Sequence, residues 1–124
     1  MRLDADAGAT VDIAPDAVIG EGTRVHARGE AVVRIASGAV LGERCVILAH
    51  ERVEVGAGAR LGDHVVLVDF DHSFDDVEVP VRLQPLRTAP VVVGAGAIIG
   101  PGVVVERGGR VAPGAIVLAN TVVR

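Results

Sequence analysis

The chain has 124 residues, half of them hydrophobic, with 16 glycines, one cysteine and a formal net charge of −4. That length holds one domain, residues 1–124, rather than two. The acidic balance and scattered basic residues exclude a nucleic-acid partner, whose phosphates call for clustered Lys and Arg. A single cysteine excludes an internal disulfide and fits a reducing compartment; with no basic-then-apolar leader opening the chain, the expected location is cytoplasmic. Aromatics are 2% of the chain, with no Trp or Tyr. The core must then be filled by Val, Ile, Leu and Ala, which suits a narrow, repetitive interior. The glycines are too frequent for long helices.

Taken in chain order, the aliphatic residues recur every six. Ile13 opens the series, followed by Ile19 and Val25. After a short slip come Ile35, Leu41 and Ile47; after another, Val55, Leu61 and Leu67. Beyond an acidic interruption the series resumes at Val93, Ile99, Val105, Val111 and Val117. The residue after each is usually Gly or Ala, as at Ala14, Gly20, Gly42, Gly56, Gly94 and Gly100, and the fifth of each unit is small, as at Ala39, Cys45, Ala59 and Ala97. Each unit reads as a short strand and a corner, with the branched aliphatic inward and the small residues where the backbone turns. Three units close one triangular turn, and stacked turns bond in parallel. The period places turns at about 13–30, 35–52, 55–72, 93–110 and 111–124. Cys45 falls on an interior position and reads as a small core side chain, not a nucleophile. The uncharged stretch from Ala89 to Val105 approaches the length of a membrane span, but its four glycines and Pro101 mark it as repeat, so no span is expected.

The interruption runs from Asp69 to Pro90, and twenty-odd non-repeating residues in a solenoid usually form a functional loop on one face. It carries His72 among Asp69, Asp71, Asp75, Asp76 and Glu78. An imidazole with a pKa near 6.5 suits a general base at neutral pH. The last three acids read as a solvated loop face. His26 at a corner, His50 near a slip and His64 in mid-turn read as exposed polar residues.

From Val55 onward the sequence resembles the hexapeptide-repeat acetyltransferases, in particular the sugar O-acetyltransferases of the maltose, galactoside and polysaccharide type. The resemblance lies in Asp69-Phe70-Asp71-His72 closing one turn, and in Pro80 and Gln84 in the loop. It continues in Pro90-Val91-Val92-Val93-Gly94 and in Ala119-Asn120-Thr121-Val122-Val123. It implies an all-β fold, a left-handed parallel β-helix of about five triangular turns with one external loop at about 69–90. The left hand comes from the resemblance alone, because parallel crossovers are in general right-handed.

The implied activity moves an acetyl group from acetyl-CoA, the co-substrate, to a hydroxyl of a sugar or polysaccharide-precursor acceptor. His72 occupies the family's catalytic position as general base, and Asp69 or Asp71 would orient it. Gln84 would help shape the acceptor pocket. Gly100, Pro101, Ala119 and Asn120 match the turns along which the family lays the pantetheine arm, with Arg124 near the nucleotide phosphates. No metal is implied, and the assembly is a homotrimer whose sites lie between subunits. Two other classes share this architecture: γ-type carbonic anhydrases, which hold zinc on three histidines at a spacing absent here, and non-catalytic structural or degenerate β-helices.

Overall fold

The computed structural model describes residues 1–72 and 86–124. Five coils follow one another. The first holds β1 (Arg2–Ala5), β2 (Thr10–Ile13) and β3 (Val18–Ile19); the second holds β4 (Arg24–Ala27), β5 (Val32–Ile35) and β6 (Val40–Leu41). The third holds β7 (Val46–Ala49), β8 (Arg52–Val55) and β9 (Arg60–Leu61). The fourth contains β10 (Val66–Val68), a lateral pair β11 (Phe70–His72) and β12 (Leu86–Thr88), then β13 (Val91–Val93) and β14 (Ile98–Ile99). The fifth holds β15 (Val104–Val105), β16 (Arg110–Val111) and β17 (Ile116–Val117), and β18 (Val122–Val123) begins another.

Like strands stack in parallel into three sheets. Face A is β1-β4-β7-β10-β15-β18, face B is β2-β5-β8-β13-β16, and face C is β3-β6-β9-β14-β17. The result is the left-handed parallel β-helix of about five turns that the resemblance implied. The repeat begins earlier than the period placed it. Leu3 stacks on Val25 and Val11 on Val33, so residues before Ile13 already form a coil.

The core follows the six-residue pattern closely. Of the fourteen aliphatic positions, eleven are buried, from Val25 to Val111, and Ile13, Ile19 and Val117 pack against them at the two ends. Parallel pairing aligns Val25, Ile47, Leu67, Val105 and Val123 in one internal ladder. Cys45 is buried in the column of small residues, with Sγ 3.3 Å from Gly62 O, and burial pushes its thiol pKa up, so it is an inert interior side chain. The stretch from Ala89 to Val105 folds as three short strands. Among the described residues no helix is long and apolar enough to cross a membrane.

Glycines at corners serve two separate purposes. At Gly56 a Cβ would lie 2.5 Å from Ala95 N in the coil above, so a side chain would force the coils apart. At Gly58 there is open space, but φ is +67°. We therefore expect Gly56→Ala to cost about 1–3 kcal/mol as an overpacked site. Gly58→Asn should cost less than about 1 kcal/mol, because Asn enters the left-handed region readily, as Asn120 does here at φ +60°. Thermal melts of the two variants measure the difference.

The irregularities of the repeat share one edge. Ten residues separate Leu3 from Ile13 and Val25 from Ile35, eight separate Ile47 from Val55, and 26 separate Leu67 from Val93, where the regular unit is six. Every excess falls at the corner between faces A and B, and the β11–β12 hairpin projects from that same corner.

Candidate functional site

The A/B edge gathers the polar chemistry of the chain. Asp69 follows β10 and is fully buried, one of two buried polar or charged side chains among the described residues. Its Oδ1 accepts the backbone N–H of His50 at 2.8 Å; its Oδ2 accepts those of Glu51 at 2.8 Å and Arg52 at 2.7 Å. A carboxylate taken from water needs such donors, and the bend at 50–52 needs an acceptor for three amides that point away from any strand. Asp69 O also accepts from Ala89 N at 3.0 Å, closing the base of the hairpin.

Three further contacts fix the hairpin. Asp71 faces Arg87 across the antiparallel pair, with Oδ1 3.1 Å from Arg87 Nε. Arg107, from the fifth coil, approaches the same oxygen at 3.4 Å. That last contact lacks hydrogen-bond geometry, so Arg107 Nε is a buried donor without a hydrogen-bond partner among the described residues. Thr88 Oγ1 donates to Glu51 Oε1 at 2.7 Å. His72 ends β11 opposite Leu86 in the backbone register. Gln84, Asp75, Asp76 and Glu78 lie outside the described residues.

Two clefts flank this hairpin base, and Phe70 lines both. One, of about 160 Å³, is bounded by His26, Arg28, Leu48, Ala49, His50 and Phe70. The Phe70 and His50 rings meet edge to face, centroids 4.2 Å apart. Arg28 Nη2 lies 2.7 Å from Asp4 Oδ2 and 3.5 Å from His26 Nδ1, and it holds the Asp4 carboxyl below its ordinary pKa. The other cleft, of about 320 Å³, is bounded by Val68, Phe70, Asp71, Glu106, Arg107 and Arg124. Arg124 Nε stands 3.4 Å from Glu106 Oε2.

The expected site residues therefore fall into two groups. Asp69, Asp71, His72 and Arg124 share the A/B edge. Gly100, Pro101, Ala119 and Asn120 lie at the corner between faces C and A, across face A from the hairpin. From Pro101 to Glu106 the chain crosses that face, about 15 Å at the rise of an extended strand. Gly100 packs tightly, since a Cβ there would lie 2.6 Å from Ala119 N. Asn120 N donates to Pro101 O at 2.9 Å, one rung of the ladder of left-handed corners that includes Arg44 and His64. His64 thus sits at a corner and not in mid-turn. His26 and His50, expected as exposed polar residues, are half-buried walls of the smaller cleft. Phe70, Arg28 and Arg107 also belong to the site without having been singled out. The frame slips between Val25 and Ile35 and between Ile47 and Val55 were the signal that marked Arg28 and His50.

Comparison with known proteins bears on this geometry. No family model matches the chain. Its sequence is 32% identical over 106 residues to Probable acetyltransferase Rv3034c of Mycobacterium tuberculosis, covering 86% of this chain and 35% of that protein. The chain thus spans about a third of the length of that relative. Its fold matches the hexapeptide-repeat-containing acetyltransferase VCA0836 of Vibrio cholerae, solved with acetyl-CoA, at a TM-score of 0.70 and 22% identity, covering 86% of this chain and 59% of that one.

The chain is a hexapeptide-repeat β-helix. A second neighbour in fold, at a TM-score of 0.53 and 14% identity, is a variant of AntD, an N-acyltransferase of Bacillus cereus solved with dTDP and coenzyme A; the match covers 99% of this chain and 72% of that one. What distinguishes the present hexapeptide-repeat chain locally is the edge where its insertions, both clefts and the hairpin coincide.

Proposed function

We propose that this chain is a coenzyme A-dependent acyltransferase that moves an acetyl group from acetyl-CoA to a hydroxyl of a sugar or sugar-containing acceptor. The observation that carries the reading is the β11–β12 hairpin on a hexapeptide-repeat β-helix, whose first strand runs from Phe70, a wall of both clefts, through Asp71, a wall of the larger one, to His72. The similarity to an acetyltransferase sequence supports the group transferred. The neighbours in fold supply the donor by analogy, acetyl-CoA in one and coenzyme A in the other. In the second, dTDP points to nucleotide-linked sugars as acceptors.

In this reaction His72 takes the proton of the acceptor hydroxyl as its oxygen attacks the thioester carbonyl. A backbone N–H near the hairpin steadies the oxyanion. The tetrahedral centre then collapses, the C–S bond breaks and the thiolate leaves, taking up a proton. Two substrates held together need no covalent enzyme intermediate. Asp69 acts through position, fixing the hairpin to the third coil; Asp71 does the same through Arg87 and Arg107. Gln84 contacts the acceptor. Arg124, joined by Arg107, whose Nε has no hydrogen-bond partner among the described residues, suits the donor's phosphates.

The distance between the two edges of face A makes the site a shared one. The pantetheine track of Gly100, Pro101, Ala119 and Asn120 on one copy serves the His72 edge of the next. The outer side of face A, with half-buried Val46, Leu48, Val66, Val68 and Val104, is apolar enough to pack in a homotrimer. The test is thiol release from acetyl-CoA by the purified chain with a panel of sugars and nucleotide sugars, run beside a sizing measurement. Acceptor-dependent release from a trimer is the expected result. No release above the blank without enzyme would overturn the reading.

A further inference from the structure

The smaller cleft has features that a structural crevice does not need. In a chain with 2% aromatics and an aliphatic core, Phe70 lies outside the core and walls a surface cleft. His26 and His50 from successive coils share the lining, His50 against the Phe70 ring and His26 beside Arg28. Leu48 and Ala49 make an apolar floor. Arg28 is already held by Asp4 at 2.7 Å and Asp6 at 3.6 Å, so the cleft offers polar hydrogens and lone pairs without a free charge. This favours a neutral polar ligand over a phosphate, which would have to displace those carboxylates. At about 160 Å³ the space suits a single ring half-sunk in the wall and not a nucleotide. The walls are preorganised: the three amides held by Asp69 fix the bend bearing His50, and the edge-to-face contact fixes Phe70 against it.

We propose that the cleft of His26, Arg28, Leu48, His50 and Phe70 is the subsite for the sugar ring of the acceptor. The assignment rests on the acyl-transfer reading above. The apolar C–H face of a pyranose lies on Phe70, and its hydroxyls bond the two imidazoles and the guanidinium. Phe70 is then the partition between two substrates, with the ring on its one side and the donor on the Arg107 and Arg124 side.

The full-length chain is titrated by ligand-observed NMR with the methyl glycosides of glucose, galactose, mannose and N-acetylglucosamine. Binding of at least one is expected, weakened about tenfold or more in Phe70→Leu and in His50→Gln. The second variant keeps the backbone amide that Asp69 holds and so keeps the fold. In the thiol-release assay both should raise the KM for acceptor by a similar factor. If none of the glycosides binds, or binding ignores both substitutions, the subsite is wrong. If binding is lost in both variants while wild type releases no thiol, the subsite stands and the acyl-transfer reading falls. Thiol release with an acceptor KM unmoved in both variants leaves the reaction standing and removes the cleft.

Discussion

Replacing His72 with alanine is expected to lower acceptor-dependent thiol release by about 10²–10⁴-fold. An alcohol is a poor nucleophile until its proton is removed, and an imidazole, whose ordinary pKa is about 6.5, is the side chain suited to accept it around neutrality. The proton moves in the transition state, so the loss should appear in kcat with the KM for acetyl-CoA little changed. The rate should rise with pH through the imidazole range in wild type, and the residual rate of the variant should not. The melting temperature should hold, because position 72 closes a lateral strand outside the three stacked sheets. A variant with full activity would move the base elsewhere, and His50 and His26, on the same edge, would be the next imidazoles to replace.

The second large effect is on stability. Asp69→Ala removes the acceptor for three part-buried amides at once. A buried donor left without a partner costs about 1–3 kcal/mol. Water entering the vacated space recovers part of that, so the total should be about 3–5 kcal/mol, or a Tm lower by roughly 10–20 °C. Hydrogen exchange at the amides of His50, Glu51 and Arg52 should quicken with it. Asp69→Asn keeps one acceptor oxygen and turns an amino group toward N–H donors, so it should fall between alanine and wild type. A shift of less than about 3 °C for Asp69→Ala would mean that the bend at 50–52 holds itself. These two predictions separate two neighbouring residues: under the proposed function His72→Ala loses rate, whereas Asp69→Ala loses the platform.

This division was not visible in the residues around His72. Asp69 and Asp71 looked equivalent as orienting partners for the imidazole, one three positions before it and one adjacent. Folding gives them different employment. Asp69 points into the corner and meets three amides 17 to 19 residues earlier in the chain. Asp71 stays half-exposed between two guanidiniums, one across the hairpin and one from the next coil. Neither partner set follows from local sequence, because each depends on which coil lies above or below. In contrast, Cys45 was placed correctly from its position in the six-residue unit alone, since every interior column has the same requirement for size.

The sequence by itself determined the coil: which residues face inward, where the backbone turns, and that Asp69 to Pro90 departs from the rule. A six-residue repeat encodes contacts that are identical from coil to coil, so one unit read correctly predicts the next. Only the tertiary structure decided that every departure falls on one edge. Coils of 22, 22, 20, 38 and 18 residues restack to the same register on face A. Their excess lengths are thereby forced out at a shared corner, where Arg28, His50, Phe70 and Arg107, scattered along the chain, become neighbours. Parallel stacking at a fixed strand spacing, with no tolerance for extra residues inside the core, is the physical reason that the site assembles there.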